Sequence, residues 1–192
     1  MKNLLITGFD PFGGEQINPS WEAVKLLPEA VGEYRLHKLQ IPTVFGLAPQ
    51  IVAEKAEKVK ADVILCIGQA GGRAAVTPER VAINVRSASI PDNAGNRPQE
   101  EAIVPAGADG LFATVPVVKM VERMKEAGCP AAVSNTAGTF VCNELLYSLL
   151  HRYQGSAVRV GFIHVPYLPA QGEPNLPLEA DAKALEAAIA AL

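Results

Sequence analysis

Ala61-Asp62-Val63-Ile64-Leu65-Cys66-Ile67-Gly68 is the stretch on which the fold turns. Its apolar residues run without alternation, so both faces of a strand here would be buried, as in a parallel sheet covered by helices on each side. Immediately upstream, Gly46 to Lys60 sets Leu47, Ile51, Val52, Ala56 and Val59 on one helical face with Lys and Glu opposite. Before that helix, Tyr34 to Ile41 alternates as a strand, and Asn3 to Gly8 is a short apolar strand opening into Gly8-Phe9-Asp10-Pro11-Phe12-Gly13-Gly14. Between those two strands, Asn18-Pro19-Ser20-Trp21-Glu22 offers Ser20 as the cap of a helix carrying Ala23, Val24, Leu26 and Leu27.

Downstream, a second glycine loop, Gln69-Ala70-Gly71-Gly72-Arg73, leads through Thr77-Pro78-Glu79-Arg80 into a strand at Val81 to Val85. Ile90 to Gly107 has no periodicity and reads as a long excursion that covers a site or makes an oligomer contact. Ala108 to Ala127 is helical in pattern, with Pro116 marking a start or a kink, and Ala131 to Ser134 suits a short strand. Leu145, Leu146, Leu149 and Leu150 define a helix over 144–153, Val158 to Val165 a further strand, and Leu178 to Leu192 a terminal helix. Strands alternating with helices predict a single α/β domain over 1–192, a three-layer α/β/α sandwich around a mostly parallel, twisted sheet.

Composition narrows the function. A net charge of -3 without a local Lys/Arg cluster excludes the electrostatic footprint of a nucleic-acid binder. No apolar run approaches membrane-spanning length and the N-terminus turns polar at once, which points to a cytoplasmic protein without a membrane partner. Cys66, Cys129 and Cys142 are too widely spaced for a zinc site or a disulfide framework. No metal or organic cofactor is expected. The glycine loops match neither a Walker loop nor a complete dinucleotide fingerprint, so a nucleotide-binding domain has little support.

In such sheets ligands gather beyond the carboxyl ends of the strands. Phe9, Gln69, Cys142 and His164 all fall there. Cys142 stands at the start of the 144–153 helix, where unpaired N–H groups and the helix dipole would shift a thiol toward thiolate. His164, at a strand exit, is the histidine that topology can bring to it, and Glu79, behind Pro78, is a candidate to orient the imidazole. A buried packing cysteine and a Glu79 ion pair with Arg80 or Arg73 are the plainer alternatives. Asp10 and Asp92, beside prolines, read as turn residues.

Taken together, Gly8-Phe9-Asp10-Pro11-Phe12-Gly13 with Asn18-Pro19-Ser20, Gly68 to Arg73 with Thr77 to Asn84, Ser134 to Asn143 and Gly161 to Pro166 resemble pyroglutamyl peptidase type I, the pyrrolidone carboxyl peptidases, a family of cysteine exopeptidases. The resemblance implies Cys142 as nucleophile, His164 as base and Glu79 as orienting acid. It implies peptides with N-terminal pyroglutamate as substrates, held by Phe9, Phe12, Gln69, Phe140 and Val141, and assembly into a homotetramer. Ser89 stands where relatives usually carry arginine, with Arg86 and Arg73 as candidates to supply that charge. That departure leaves open an alternative, a lactam-binding module that has lost turnover.

Overall fold

The computed structural model describes residues 1–192. In chain order the elements are β1 (Lys2–Phe9), α1 (Pro19–Leu26), β2 (Ala30–Val31), β3 (Tyr34–Ile41), α2 (Leu47–Val59), β4 (Val63–Gln69), β5 (Thr77–Pro78), β6 (Val81–Ile83), β7 (Gly110–Phe112), α3 (Val117–Glu126), α4 (Val141–Arg152), β8 (Arg159–Val165) and α5 (Leu178–Ile189). The main sheet runs β2-β3-β1-β4-β8-β5. Its four central strands are parallel, and only the two-residue edge strands β2 and β5 pair antiparallel.

Side-chain parity along the central strands divides the interior into two cores. Leu4, Ile6, Val63, Leu65, Ile67, Ile163 and Val165 pack on one face against α1, α3 and α5. Leu5, Phe9, Ile64, Cys66, Val160 and Phe162 pack on the other against α2 and α4. This is the two-sided burial expected of the uninterrupted apolar runs, and it makes the three-layer sandwich. Gly8 sits where α1 crosses β1: a Cβ there would lie 2.5 Å from the Trp21 Cα, so this close approach requires glycine.

Local expectations fail in three places. Asn18, not Ser20, caps α1, its side chain accepting from Ser20 N at 3.1 Å. Pro19 occupies the first helical turn, where its missing N–H costs nothing. Residues 108–127 are not one helix, because Gly110–Phe112 pairs with Val81–Ile83 in a separate two-stranded ribbon and α3 begins only after Pro116. Residues 131–134 form no strand of their own; Ala131 and Ser134 make isolated bridges to Val76 and Glu79.

Candidate active site

The site is assembled on β8. His164 pairs with Gly68 of β4 on one side and with Thr77 of β5 on the other, so three strand ends meet at the imidazole. Glu79, one residue past β5, is fixed through its backbone: its N–H donates to Phe162 O at 2.9 Å, and it bridges to Ser134. That delivers its fully buried carboxylate to the ring, Oε1 lying 2.7 Å from His164 Nδ1. An ionised carboxylate can only accept, so Nδ1 carries the proton and Nε2 is the basic nitrogen. Arg73 donates from Nη1 to the same Oε1 at 2.7 Å and to Thr77 Oγ1 at 2.6 Å. Glu79 is therefore both ion-paired with Arg73 and hydrogen-bonded to His164.

Cys142 is the second residue of α4. The N–H groups of Asn143 and Glu144 turn back onto Phe140 O, whereas those of Val141 and Cys142 have no protein acceptor. Asn143, fully buried, anchors this helix start by accepting from Ile83 N (3.0 Å) and donating to Ile83 O (2.9 Å) and Val85 O (2.8 Å). Glu144 accepts from Gly46 N and Arg86. The sulfur lies over Gly68, 3.0 Å from where a Cβ on that glycine would be.

Cys142, His164, Gln69, Phe12, Phe140 and Arg73 line one cavity of about 300 Å3. No hydrogen bond joins the thiol to the imidazole, although both line this cavity. Phe12 and Phe140 face each other at 5.9 Å between ring centres, and Phe45 packs edge-on against Phe140 at 5.2 Å. Phe9 and Val141 lie outside the cavity lining, both buried in the core. Phe9 backs the site at one remove: its ring lies 6.4 Å from that of Phe162, which lies 4.7 Å from His164. A neighbouring cavity of about 350 Å3, lined by Phe45, Arg86 and Arg97 among others, contains neither thiol nor imidazole.

The electrostatics correct one expectation. Burial pushes the Cys142 thiol up to about 12, the Glu79 charge adding to the rise and Arg73 opposing it. This acts against the pull toward thiolate expected at a helix start, and it favours a protonated sulfur at rest. Burial also lowers His164 below its ordinary value, against the opposing pull of Glu79. Glu79 is lowered as well: burial would raise it, but its hydrogen bonds to His164, Ser134 and Arg73 prevail. The resting site is a neutral thiol and a neutral imidazole beside an ionised carboxylate.

Several contributors escaped the sequence reading. Phe45 gave no signal beyond being aromatic. Asp10 is more than a turn residue, because its Oδ1 accepts from Thr43 N, Thr43 Oγ1 and Asn93 Nδ2, tying the Phe12 loop to the 90–107 excursion. Asp92 likewise accepts from Phe45 N at 2.9 Å. Ser89 is exposed, and Arg73 is the arginine that lines the cavity, while Arg86 is engaged by Glu101 and Glu144.

The family described as pyroglutamyl peptidase matches residues 2–192. The chain belongs to that family. A pyrrolidone-carboxylate peptidase of Escherichia fergusonii is 50% identical over 98% of this chain and 92% of its own length. The crystal structure of Bacillus amyloliquefaciens pyroglutamyl peptidase I superposes with a TM-score of 0.95 at 47% identity, covering 99% of this chain and 96% of that one. The pyrrolidone carboxyl peptidase of Thermococcus litoralis reaches the same TM-score at 33% identity, covering 100% of this chain and 93% of the other. As a pyroglutamyl peptidase, the chain is an enzyme of the cysteine peptidase class. No helix in it is long and apolar enough to cross a membrane.

Proposed function

We propose that this enzyme removes N-terminal pyroglutamate from peptides through an acyl-enzyme on Cys142. The observation that carries the reading is the shared cavity, in which a thiol and a carboxylate-bound imidazole lie beside two phenylalanines and the end of β4 at Gln69. A pyroglutamyl ring is flat, uncharged and small. It suits an apolar slot of this size, whereas an ordinary N-terminal ammonium would have to be desolvated there without a partner.

As Sγ attacks the pyroglutamyl carbonyl, its proton passes to Nε2 of His164, and Glu79 stabilises the imidazolium through Nδ1. The free N–H groups of Val141 and Cys142 receive the developing oxyanion; such a donor is worth about 3 kcal/mol in other enzymes. Collapse breaks the C–N bond, and Nε2 returns the proton to the departing peptide amine. Water, deprotonated by the same nitrogen, then cleaves the thioester and restores the thiol.

Phe12 and Phe140 hold the ring and Gln69 reads the lactam, with Phe9 and Val141 acting from behind as packing for His164 and the helix start. A cytoplasmic location and a homotetramer belong to the same reading. They are supported by three free cysteines, which suit a reducing compartment, and by the 70% exposed Phe112 on the β6–β7 ribbon, an apolar side chain suited to a subunit contact. The test is fluorophore release from a pyroglutamyl amide beside a prolyl amide, which lacks the ring carbonyl. Cleavage confined to the first is expected; equal cleavage of both, or of neither, would contradict the assignment.

A further inference from the structure

Two adjacent residues of the 90–107 excursion, Asp92 and Asn93, reach the aromatic walls of the cavity. Asp92 is buried in a turn of its own, Oδ1 accepting from Ala94 N at 2.9 Å and from Asn96 N at 2.8 Å, while Oδ2 accepts from Phe45 N, the residue that packs on Phe140. Asn93 starts from this fixed frame, and its own N–H donates to Thr43 O at 3.0 Å. Its side-chain Nδ2 donates to Pro11 O at 2.9 Å and to Asp10 Oδ1 at 3.1 Å. A carbonyl oxygen can only accept, so the amide atom facing Pro11 is the NH2 group. Asp10 is also held by Thr43 N and Oγ1 and keeps its place without Asn93. Pro11 O has no other protein donor.

The proline ring holds φ of residue 11 near about −65°. With Asp10 anchored, ψ of Pro11 is the soft dihedral left before Phe12, and it sets where the Pro11 carbonyl points. A hydrogen bond to that carbonyl pins ψ and with it the path of the chain into Phe12, which lines the catalytic cavity. On its far side Phe12 is restrained only by a turn across Gly13 and Gly14, in which Glu15 N donates to Phe12 O at 3.2 Å. We infer that Asn93 is a specificity-determining positioning residue: by holding Pro11 O it fixes Phe12 as the wall against which the ring of the ligand packs. The inference rests on the proposed function for the identity of that ligand and deepens it. Phe140 caps the nucleophile's helix, whereas Phe12 lies on a separate loop, so Asn93 governs the fit of the ring and not the reacting atoms.

Asn93 is exposed, so its replacements fold, and the bond from its backbone N–H to Thr43 O survives them. Asn93→Leu removes the donor at similar size. Asn93→Asp sets a carboxylate against two acceptors, Pro11 O and Asp10 Oδ1. Each is combined with Cys142→Ser and titrated calorimetrically with pyroglutamic amide. Kd should rise about 3–10-fold for Asn93→Leu, the range one lost hydrogen bond gives, and more for Asn93→Asp. With Cys142 in place, KM for a pyroglutamyl amide should rise while kcat stays within about 2-fold, because a ring wall binds ground state and transition state alike. Iodoacetamide, which has no ring to place, should alkylate Cys142 at the parental rate. A general loosening of the site would instead change kcat and the alkylation rate.

Unchanged affinity in either variant, a fall in kcat as large as the rise in KM, an altered alkylation rate, or no binding by the Cys142→Ser parent would overturn the inference. Hydrolysis of a pyroglutamyl amide by the unaltered chain is measured separately. Its failure alongside ring binding that depends on Asn93 would sink the catalytic reading and leave this one standing.

Discussion

The sulfur of Cys142 lies 3.0 Å from the point where a Cβ on Gly68 would stand. The same Cβ would meet the Phe162 ring at 2.7 Å. Gly68 is the register partner of His164, so the absent side chain leaves room for a thiol directly beside the strand that carries the imidazole. Gly68→Ala should therefore displace both Cys142 and Phe162, and through Phe162 the imidazole it packs against. Overpacking of this kind costs about 1–3 kcal/mol. The expected outcome is a lowered melting temperature and a loss of kcat/KM of at least about 100-fold for a pyroglutamyl amide; near-normal turnover would show that the sulfur does not need this space.

The neutral resting pair fixes the pH dependence. Because burial lowers His164 below 6.5, kcat/KM should rise with pH along an acid limb centred below that value and then stay flat through the neutral range, with no fall from thiol ionisation. Arg73 opposes protonation of His164, so Arg73→Met should move the acid limb to higher pH. An unmoved limb would separate Arg73 from the electrostatics of the imidazole.

Asn143 satisfies three backbone groups of Ile83 and Val85 from a fully buried position. Replacing it with alanine leaves those groups without partners in the interior and frees the start of the nucleophile's helix. Asn143→Ala should destabilise the protein by about 3 kcal/mol in denaturant titration and lower kcat more than it raises KM. A loss confined to stability would mean that the helix start keeps its place unaided.

Asp181 in α5 is fully buried with neither carboxylate oxygen hydrogen-bonded, and burial alone raises its pKa from 3.8 to about 8. Below pH 3.8 it is protonated in both the folded and unfolded states and has no effect on stability. As pH rises from there toward 8, the unfolded chain releases this proton and the folded chain keeps it, so the group subtracts stability by up to about 1.4 kcal/mol per pH unit, levelling off above 8. Asp181→Asn removes that titration. Its urea midpoint should gain on the parent's steadily between pH 5 and 8; parallel curves would contradict the assignment.

Where burial dictates pattern, the fold could be read directly. The uninterrupted apolar run at Val63–Ile67 and its counterpart in β8 fill two opposed cores, which only a helix-covered parallel strand can do. Elements decided by non-local pairing could not be read in this way. The 110–112 segment is helical in its own pattern, yet becomes a strand because Val81–Ile83 lies beside it. Thr77–Pro78 is a strand only because β8 supplies a partner.

The same division holds at the site. Cys142, His164 and Glu79 stood out as reactive side chains at strand exits or a helix start, and the fold brings them to one place. Phe9 and Phe12 were indistinguishable as loop aromatics, but Phe9 still belongs to β1 and its parity turns it into the core. The role of Asn93 was not legible at all. It is an exposed asparagine in an aperiodic stretch whose partner Pro11 is 82 residues away, and no local periodicity reports such a contact.

Acid-quenching the enzyme during turnover of a pyroglutamyl ester, followed by peptide mass spectrometry, locates the trapped acyl group. One pyroglutamyl group per chain is expected, in thioester linkage on Cys142, with none on Cys66 or Cys129. An unmodified Cys142 under conditions of continuing turnover, or an acyl group on any other residue, would contradict it.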